Sequence, residues 1–229
     1  MEMNTIFGEA FLNNENNLSY HSIISRWFYV PFGSGNLGVK PKLLYYPGGF
    51  KLNGSLIRTV LSTRDEYEMW TTDADAILAN FYFFPGNHKL KQILSIPGKP
   101  VIVSVDFNFI TDSGILNLAK KIESFGAAGL FVNRFVSSRL IKKISTECSL
   151  PLFAASPADI GEIKLKFSSG AYGVCISGKY ISIETTAILH QKFPHNPVIA
   201  MCSNSENQMQ NSVKLGSDAF IFRSCVPFV

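Results

Sequence analysis

One regularity limits what this chain can fold into. From residue 40 onward, short hydrophobic runs recur, headed in turn by a proline and by a small glycine or aspartate turn. Pro41 heads Leu43-Leu44-Tyr45-Tyr46, Pro100 heads Val101 to Val105, Pro151 heads Leu152-Phe153-Ala154-Ala155, and Pro197 heads Val198 to Met201. Between them, Asp73-Ala74-Asp75 precedes Ala76 to Ala79 and Gly126-Ala127-Ala128 precedes Gly129 to Val132. In the same way Gly170-Ala171-Tyr172 precedes Gly173 to Ile176, and Gly216-Ser217-Asp218 precedes Ala219 to Phe222. The period is roughly 21–33 residues. Proline needs no donor at the first position of a strand, and continuous apolar runs suit strands covered on both faces. Counted through, the repeat yields eight strands.

The stretches between the runs read as helices. Leu116, Ala119, Ile122 and Phe125 recur at helical spacing among Lys120, Lys121 and Glu123, and Leu140, Ile141 and Ile144 do so among Arg139, Lys142 and Lys143. Ser156-Pro157-Ala158-Asp159 supplies a cap and a first-turn proline before Ile160, and Ser203 to Glu206 has capping-box spacing. Gly126, Gly170 and Gly216 stand where helix C-caps belong. Strands alternating with helices make a parallel sheet, because parallel strands need crossovers. Eight units predict an α/β fold closed as a (β/α)8 TIM barrel; an open doubly wound sheet is the rival topology. Beyond Arg223 at the end of the eighth run stand only the six residues Ser224 to Val229, too few for a regular eighth outer helix. The segment around residues 20–32, or a second copy of the chain, is expected to cover the face left bare.

At 229 residues the chain fits one barrel domain spanning 1–229, with 1–40 as an irregular N-terminal segment. The Gly33-to-Gly38 loop matches neither the dinucleotide fingerprint nor the P-loop and reads as a connector. The net charge of +4 comes without basic runs, which argues against a nucleic-acid partner but permits anionic small molecules. No apolar run reaches the ~18–20 residues of a membrane helix, and residues 1–17 are polar, so no membrane partner and no secretory leader are expected. Cys148, Cys175, Cys202 and Cys225 show no metal-ligand spacing, and three of them sit in or beside apolar runs. The expectation is a cytoplasmic protein with no cofactor.

The functional face of such a barrel lies at the strand C-termini. The residues arriving there are Asn80 after the second run, Asp106 and Asn108 after the third, and Asn133 and Arg134 after the fourth. Ser156 follows the fifth, Ser177, Gly178 and Lys179 the sixth, Ser203 and Asn204 the seventh, and Arg223 and Ser224 the eighth. Arg134, Lys179 and Arg223 suit an anionic ligand. Asp106, on the same side of its strand as Ser104 and Asn108, is the candidate general acid or base; a structural ion pair is its other reading. Lys179 is a candidate Schiff-base lysine or a solvated loop lysine. His88 reads as a surface turn residue, and His190 and His195 fall away from this face. No nucleophile elbow or paired-carboxylate motif occurs.

The stretch Asn196-Pro197-Val198-Ile199-Ala200, Ser205-Glu206-Asn207 and Lys214 to Phe222 resembles the phosphate-binding (β/α)8 barrels, the broad group that includes the tryptophan synthase α subunit. In that group, turns after the seventh and eighth strands, with a short helix N-terminus, hold phosphate. Here Cys202-Ser203-Asn204 and Arg223 stand where the group has glycines, and Asn80-Phe81-Tyr82-Phe83 lacks the catalytic glutamate of the tryptophan synthase α subunit. The resemblance implies a lyase or isomerase acting on a small anionic, phosphorylated metabolite. In that reading Arg223, Ser203 and Asn204 hold the anion, while Asn133 and Ser177 orient the substrate. The alternative is a barrel that has lost catalysis and senses a ligand or binds a partner. A flavin-binding barrel is a third option, which a yellow purified protein would reveal.

Overall fold

The computed structural model describes residues 47–81, 84–96, 98–105, 111–202 and 206–223. The chain enters through a hairpin, β1 (Phe50–Leu52) and β2 (Ser55–Ile57), paired antiparallel across Asn53-Gly54. Both turn residues have positive φ (49° and 81°), the geometry a two-residue hairpin needs and the reason Asn-Gly serves there. Eight parallel strands follow, alternating with helices: β3 (Thr59–Thr63), α1 (Glu66–Thr71), β4 (Ala76–Phe81), α2 (Asn87–Leu94), β5 (Val101–Val105) and α3 (Asp112–Ser124). Then come β6 (Gly129–Val132), α4 (Ser138–Glu147), β7 (Leu152–Ser156), α5 (Ile160–Ser168), β8 (Gly173–Ser177), α6 (Ile183–Lys192), β9 (Val198–Met201), α7 (Glu206–Lys214) and β10 (Ala219–Arg223). Strands β3 to β10 close into a ring in sequence order, with β10 pairing β3. The fold is a (β/α)8 barrel, and no regular eighth outer helix occurs among the described residues.

The first stave corrects the sequence reading. The run Leu43 to Tyr46 lies outside the described residues, and the ring is complete without it. Its place is taken by Thr59-Val60-Leu61-Ser62-Thr63, a β-branched segment headed by Arg58 rather than by proline or glycine. The segments proposed to cover the bare face and the capping box at Ser203 also lie outside the described residues. A second correction concerns α5. Its cap is Asp159, which accepts from Glu162 N at 2.7 Å, so Pro157 precedes the helix rather than opening it.

The registers show how the ring closes. A walk perpendicular to the strands from Ser62 passes Leu78, Ile102 and Gly129. Continued through the remaining registers, it returns to the first stave at the level of residue 54, eight residues down. Eight strands with a stagger of eight stack interior side chains in layers of four from alternate strands. From the bottom these layers are Ala76, Gly129, Gly173 and Ala219; then Val60, Ile102, Phe153 and Ile199; then Leu78, Phe131, Cys175 and Ile221. Phe153 dominates the filling, and the glycines beside it make room. A Cβ on Gly129 would lie 2.7 Å from the Phe153 ring, and one on Gly173 3.0 Å. Below, Phe50, Leu52 and Ile57 of the hairpin close the barrel floor, with the Phe50 ring 5.8 Å from Phe153 and the Tyr172 ring 5.5 Å from Phe153. Tyr172 Oη donates to the Lys51 carbonyl at 2.5 Å, tying the hairpin to β8.

Carboxylates hold the N-terminal rim. Asp75 Oδ2 accepts from Arg58 N (3.0 Å), Thr59 N (2.9 Å) and Thr59 Oγ1 (2.9 Å). Asp218 Oδ2 accepts from Val198 N at 2.7 Å and lies 2.9 Å from His190 Nε2. The aspartates of the repeat therefore grip the first amides of the strand before their own. His190 belongs to this lower rim, and His88 is exposed in the first turn of α2.

At the opposite end, Thr63 Oγ1 accepts from Asp65 N (3.0 Å) and donates to Glu68 Oε2, fixing the turn from β3 into α1. Glu68 is 1% exposed and its Oε1 is buried without a partner. Burial raises its carboxyl above the ordinary range, against the lowering effect of the Thr63 hydroxyl. A raised carboxyl holds its proton to higher pH folded than unfolded. Its contribution is complete at low pH and is lost as pH climbs through the raised value. Glu68→Gln is therefore expected to narrow the change in stability between pH 4.5 and pH 8 relative to the natural chain, read by thermal unfolding at both pH values. In the core, Phe153→Ala is expected to cost about 3–5 kcal/mol in denaturant unfolding, because Gly129 and Gly173 have no side chains to collapse into the void.

Candidate functional site

The interior turns polar two layers below the C-terminal rim. Above Leu78, Phe131, Cys175 and Ile221 lies a layer of Ser62, Ser104, Ala155 and Met201, and above that Asn80, Asn133, Ser177 and Arg223. Period two along each strand carries these side chains inward, two residues beyond the last apolar plug. Of the residues expected from sequence, Asn80, Asn133, Ser177 and Arg223 thus share one level and form the floor of the mouth. Asn80 lies opposite Ser177, and Asn133 opposite Arg223, since their strands are four places apart in the ring of eight.

These groups differ in what they have left to offer. Asn80 is 4% exposed; its Nδ2 donates to Ser62 Oγ at 2.9 Å and to the Leu78 carbonyl at 3.2 Å, and its Oδ1 is buried without a partner. Asn133 Oδ1 accepts from Phe135 N at 3.0 Å, closing a local turn at the end of β6. Ser156, expected at the mouth, points to the outside of its stave by the same alternation and is buried there with its hydroxyl unpartnered. Arg134 and Lys179 are exposed on the rim. The Arg134 guanidinium lies 4.9 Å from the Phe135 ring centre and the Lys179 ammonium 5.5 Å from that of Tyr180. Asp106, Asn108, Ser203, Asn204 and Ser224 lie outside the described residues.

The rim is held by a buried cation. Lys166 of α5 is 2% exposed and donates to the carbonyls of Arg134 (3.0 Å) and Ala155 (2.9 Å), with Glu162 Oε1 at 3.4 Å. Burial pulls its ammonium below the ordinary lysine range, partly offset by Glu162. Its three contacts use the three protons of the charged form, so Lys166 fixes the backbone after β6 and β7 rather than serving as a base.

The cysteines behave as small hydrophobes. Cys148, Cys175 and Cys202 are free and buried, and burial pushes the Cys202 thiol up to about 11 and the Cys175 thiol higher still. Among the described residues no group of three or more His, Cys, Asp or Glu side chains is placed to hold a metal ion. No helix among them is long and apolar enough to cross a membrane.

Ser62 is the site residue that sequence reading missed, because the strand bearing it was not identified. The alternation Thr59, Leu61, Thr63 against Val60, Ser62 was the available signal.

No protein-family model matches the chain, and no curated protein matches it either. Solved structures match its fold. One is 2,3-dimethylmalate lyase, a member of the PEP mutase/isocitrate lyase superfamily, with a TM-score of 0.58 and 12% identity over 77% of this chain and 76% of that one. Another is phosphoenolpyruvate phosphomutase from Streptomyces platensis subsp. rosaceus, with a TM-score of 0.53 and 12% identity over 72% of this chain and 75% of that one. A third is a glycerol uptake operon antiterminator regulatory protein from Listeria monocytogenes str. 4b F2365, with a TM-score of 0.55 and 16% identity over 76% of this chain and 95% of that one. At these identities the likeness is one of fold, a TIM-type barrel found in lyases, in mutases and in a regulator.

Proposed function

We propose that the chain is a barrel enzyme of the lyase or isomerase class, acting on a small anionic, phosphorylated metabolite held in the mouth. The observation that carries this reading is the floor of Asn80, Asn133, Ser177 and Arg223, a polar layer holding one guanidinium above three apolar ones. A guanidinium set level with amide and hydroxyl groups offers an anion several hydrogen-bond donors. The resemblance of residues 196–222 to phosphate-binding barrels, and the lyase and phosphomutase among the fold neighbours, support the same class.

In this reading Arg223, Ser203, Asn204 and Ser224 bind the anionic group, with Arg134 on the rim. Asn80, Asn108, Asn133 and Ser177 orient the remainder. Asp106, the residue directly after β5, transfers the proton, and Lys179 is the second candidate for covalent or acid/base work. We place the protein in the cytoplasm, which suits its buried free thiols.

A second reading, a ligand-sensing barrel without turnover, is favoured by one observation. Among the described residues, the two upper interior layers contain no carboxylate and no imidazole. The two readings share the site and divide at Asp106.

Titrating the full chain with a panel of phosphorylated metabolites, and assaying each binder for turnover, separates them. Arg223→Gln is expected to weaken the best binder about 10–100-fold, the worth of a charged hydrogen-bonding pair. An unchanged Kd would remove Arg223 from the anion site. Asp106→Asn is expected to lower kcat about 10²–10⁴-fold with Kd within about threefold. Binding without turnover by the natural chain selects the sensor.

A further inference from the structure

The walls of the mouth are not equivalent. On consecutive staves β10, β3, β4 and β5, the inward residues are Arg223, Ser62, Asn80 and Ser104, linked by the registers Arg223–Ser62 and Asn80–Ser104 and by the Ser62–Asn80 hydrogen bond. Across from them, at the level of the two serines, β7 and β9 contribute Ala155 and Met201, both partly buried against the apolar core. One half of that layer is hydroxylated and the other is apolar.

Asn80 shows what the polar half lacks. Its amide orientation is fixed, because Nδ2 faces two carbonyls, Leu78 at 3.2 Å and Thr63 at 3.5 Å, and turning the group would set Oδ1 against both. Oδ1 is therefore a buried acceptor with no donor, in a side chain more than nine-tenths buried. Such a group in a native interior signals a missing partner. Beside it, Ser62 Oγ already accepts from Asn80 and keeps its own proton to give. A free acceptor next to a free donor matches one ligand group that both donates and accepts, namely a hydroxyl.

We propose that Ser62, Asn80 and Ser104 form a hydroxyl-reading subsite, so that the ligand is a hydroxylated organic anion with an alkyl edge against Ala155 and Met201. This rests on the mouth being an anion site, as argued above, and adds a specificity to it. In the unliganded mouth a water can satisfy Asn80 Oδ1. A ligand hydroxyl that displaces the water reproduces its hydrogen bonds, and an alkyl group does not.

The test is calorimetric titration of the full chain, at fixed ionic strength, with inorganic phosphate, ethyl phosphate and 2-hydroxyethyl phosphate. The hydroxylated ester is expected to bind about tenfold or more tightly than ethyl phosphate. Ser62→Ala and Asn80→Leu, which removes the Oδ1 acceptor, are each expected to reduce that ratio to about threefold or less, with the loss falling on the hydroxylated ester more than on ethyl phosphate. Equal binding of the two esters by the natural chain would overturn the subsite and leave the anion site standing. A ratio that survives Ser62→Ala in a variant with the natural melting temperature would place hydroxyl recognition elsewhere and overturn the proposal. If none of the three probes binds, the anion site fails and the subsite with it. Ser62→Ala removes one small hydroxyl, so it decides the matter even if Asn80→Leu does not fold.

Discussion

One aromatic ring and the two absent side chains beside it govern the barrel's interior. Phe153 occupies the space that Cβ atoms on Gly129 and Gly173 would fill. These glycines lie on β6 and β8, the staves on either side of β7, so the fit is between consecutive strands and requires all three in one register. A slip by one residue would turn Phe153 outward and leave the axis empty. With the ring seated, the hairpin can close the floor through Phe50 and Tyr172, and the layers above stack to the mouth. The level at which the interior changes from apolar to polar follows from that seating.

The charged groups outside the ring follow the chemistry of a parallel barrel. Its strand N-termini expose amide donors and its C-termini expose carbonyl acceptors, so the two rims need opposite partners. At the lower rim the partners are carboxylates, Asp75 and Asp218, accepting from the first amides of β3 and β9. At the upper rim the partner is an ammonium, Lys166, donating to the carbonyls at the ends of β6 and β7. Lys166 is buried where a charge is costly, and its contacts compensate for that only while all three persist. The backbone that carries Asn133 and Arg134 is thereby held from behind, by a residue outside the mouth.

Seven of the eight staves were legible in the sequence, and the reason is visible in the lower rim. The aspartate and glycine heads before β4, β6, β8 and β10 are clamps and helix caps, and prolines mark the starts of β5, β7 and β9; Gly126, Gly170 and Gly216 have φ between 84° and 98°. The first barrel strand escaped because it is preceded by a hairpin rather than a helix and has no such head. The Asn53-Gly54 pair was the missed sign: a two-residue hairpin turn there makes residues 50–57 a closed unit and moves the first stave to Thr59. The floor residues Asn80, Asn133, Ser177 and Arg223 could be read by counting inward positions past each apolar run. Ser62 follows from the same count only once the alternation of Thr59 to Thr63 is taken as a strand. The outward direction of Ser156 also follows from counting, but only once Phe153 is known to face the axis.

The separation between floor and rim bears on what kind of site this is. Asn80, Ser62, Ser104, Ser177 and Arg223 all stand on strands, where the ladder and the packed layers beneath restrict their motion. The residues proposed for proton transfer or covalent work, Asp106 and Lys179, follow the last residues of their strands. In the proposed reading, recognition falls on the rigid part of the fold and chemistry on its extensions. In such an arrangement loss of turnover need not disturb binding, because removing a carboxylate beyond β5 leaves the inward layers packed as before. The enzyme and sensor readings therefore differ in the residues that extend the strands, and both assign the chemical class of the ligand to the layers below.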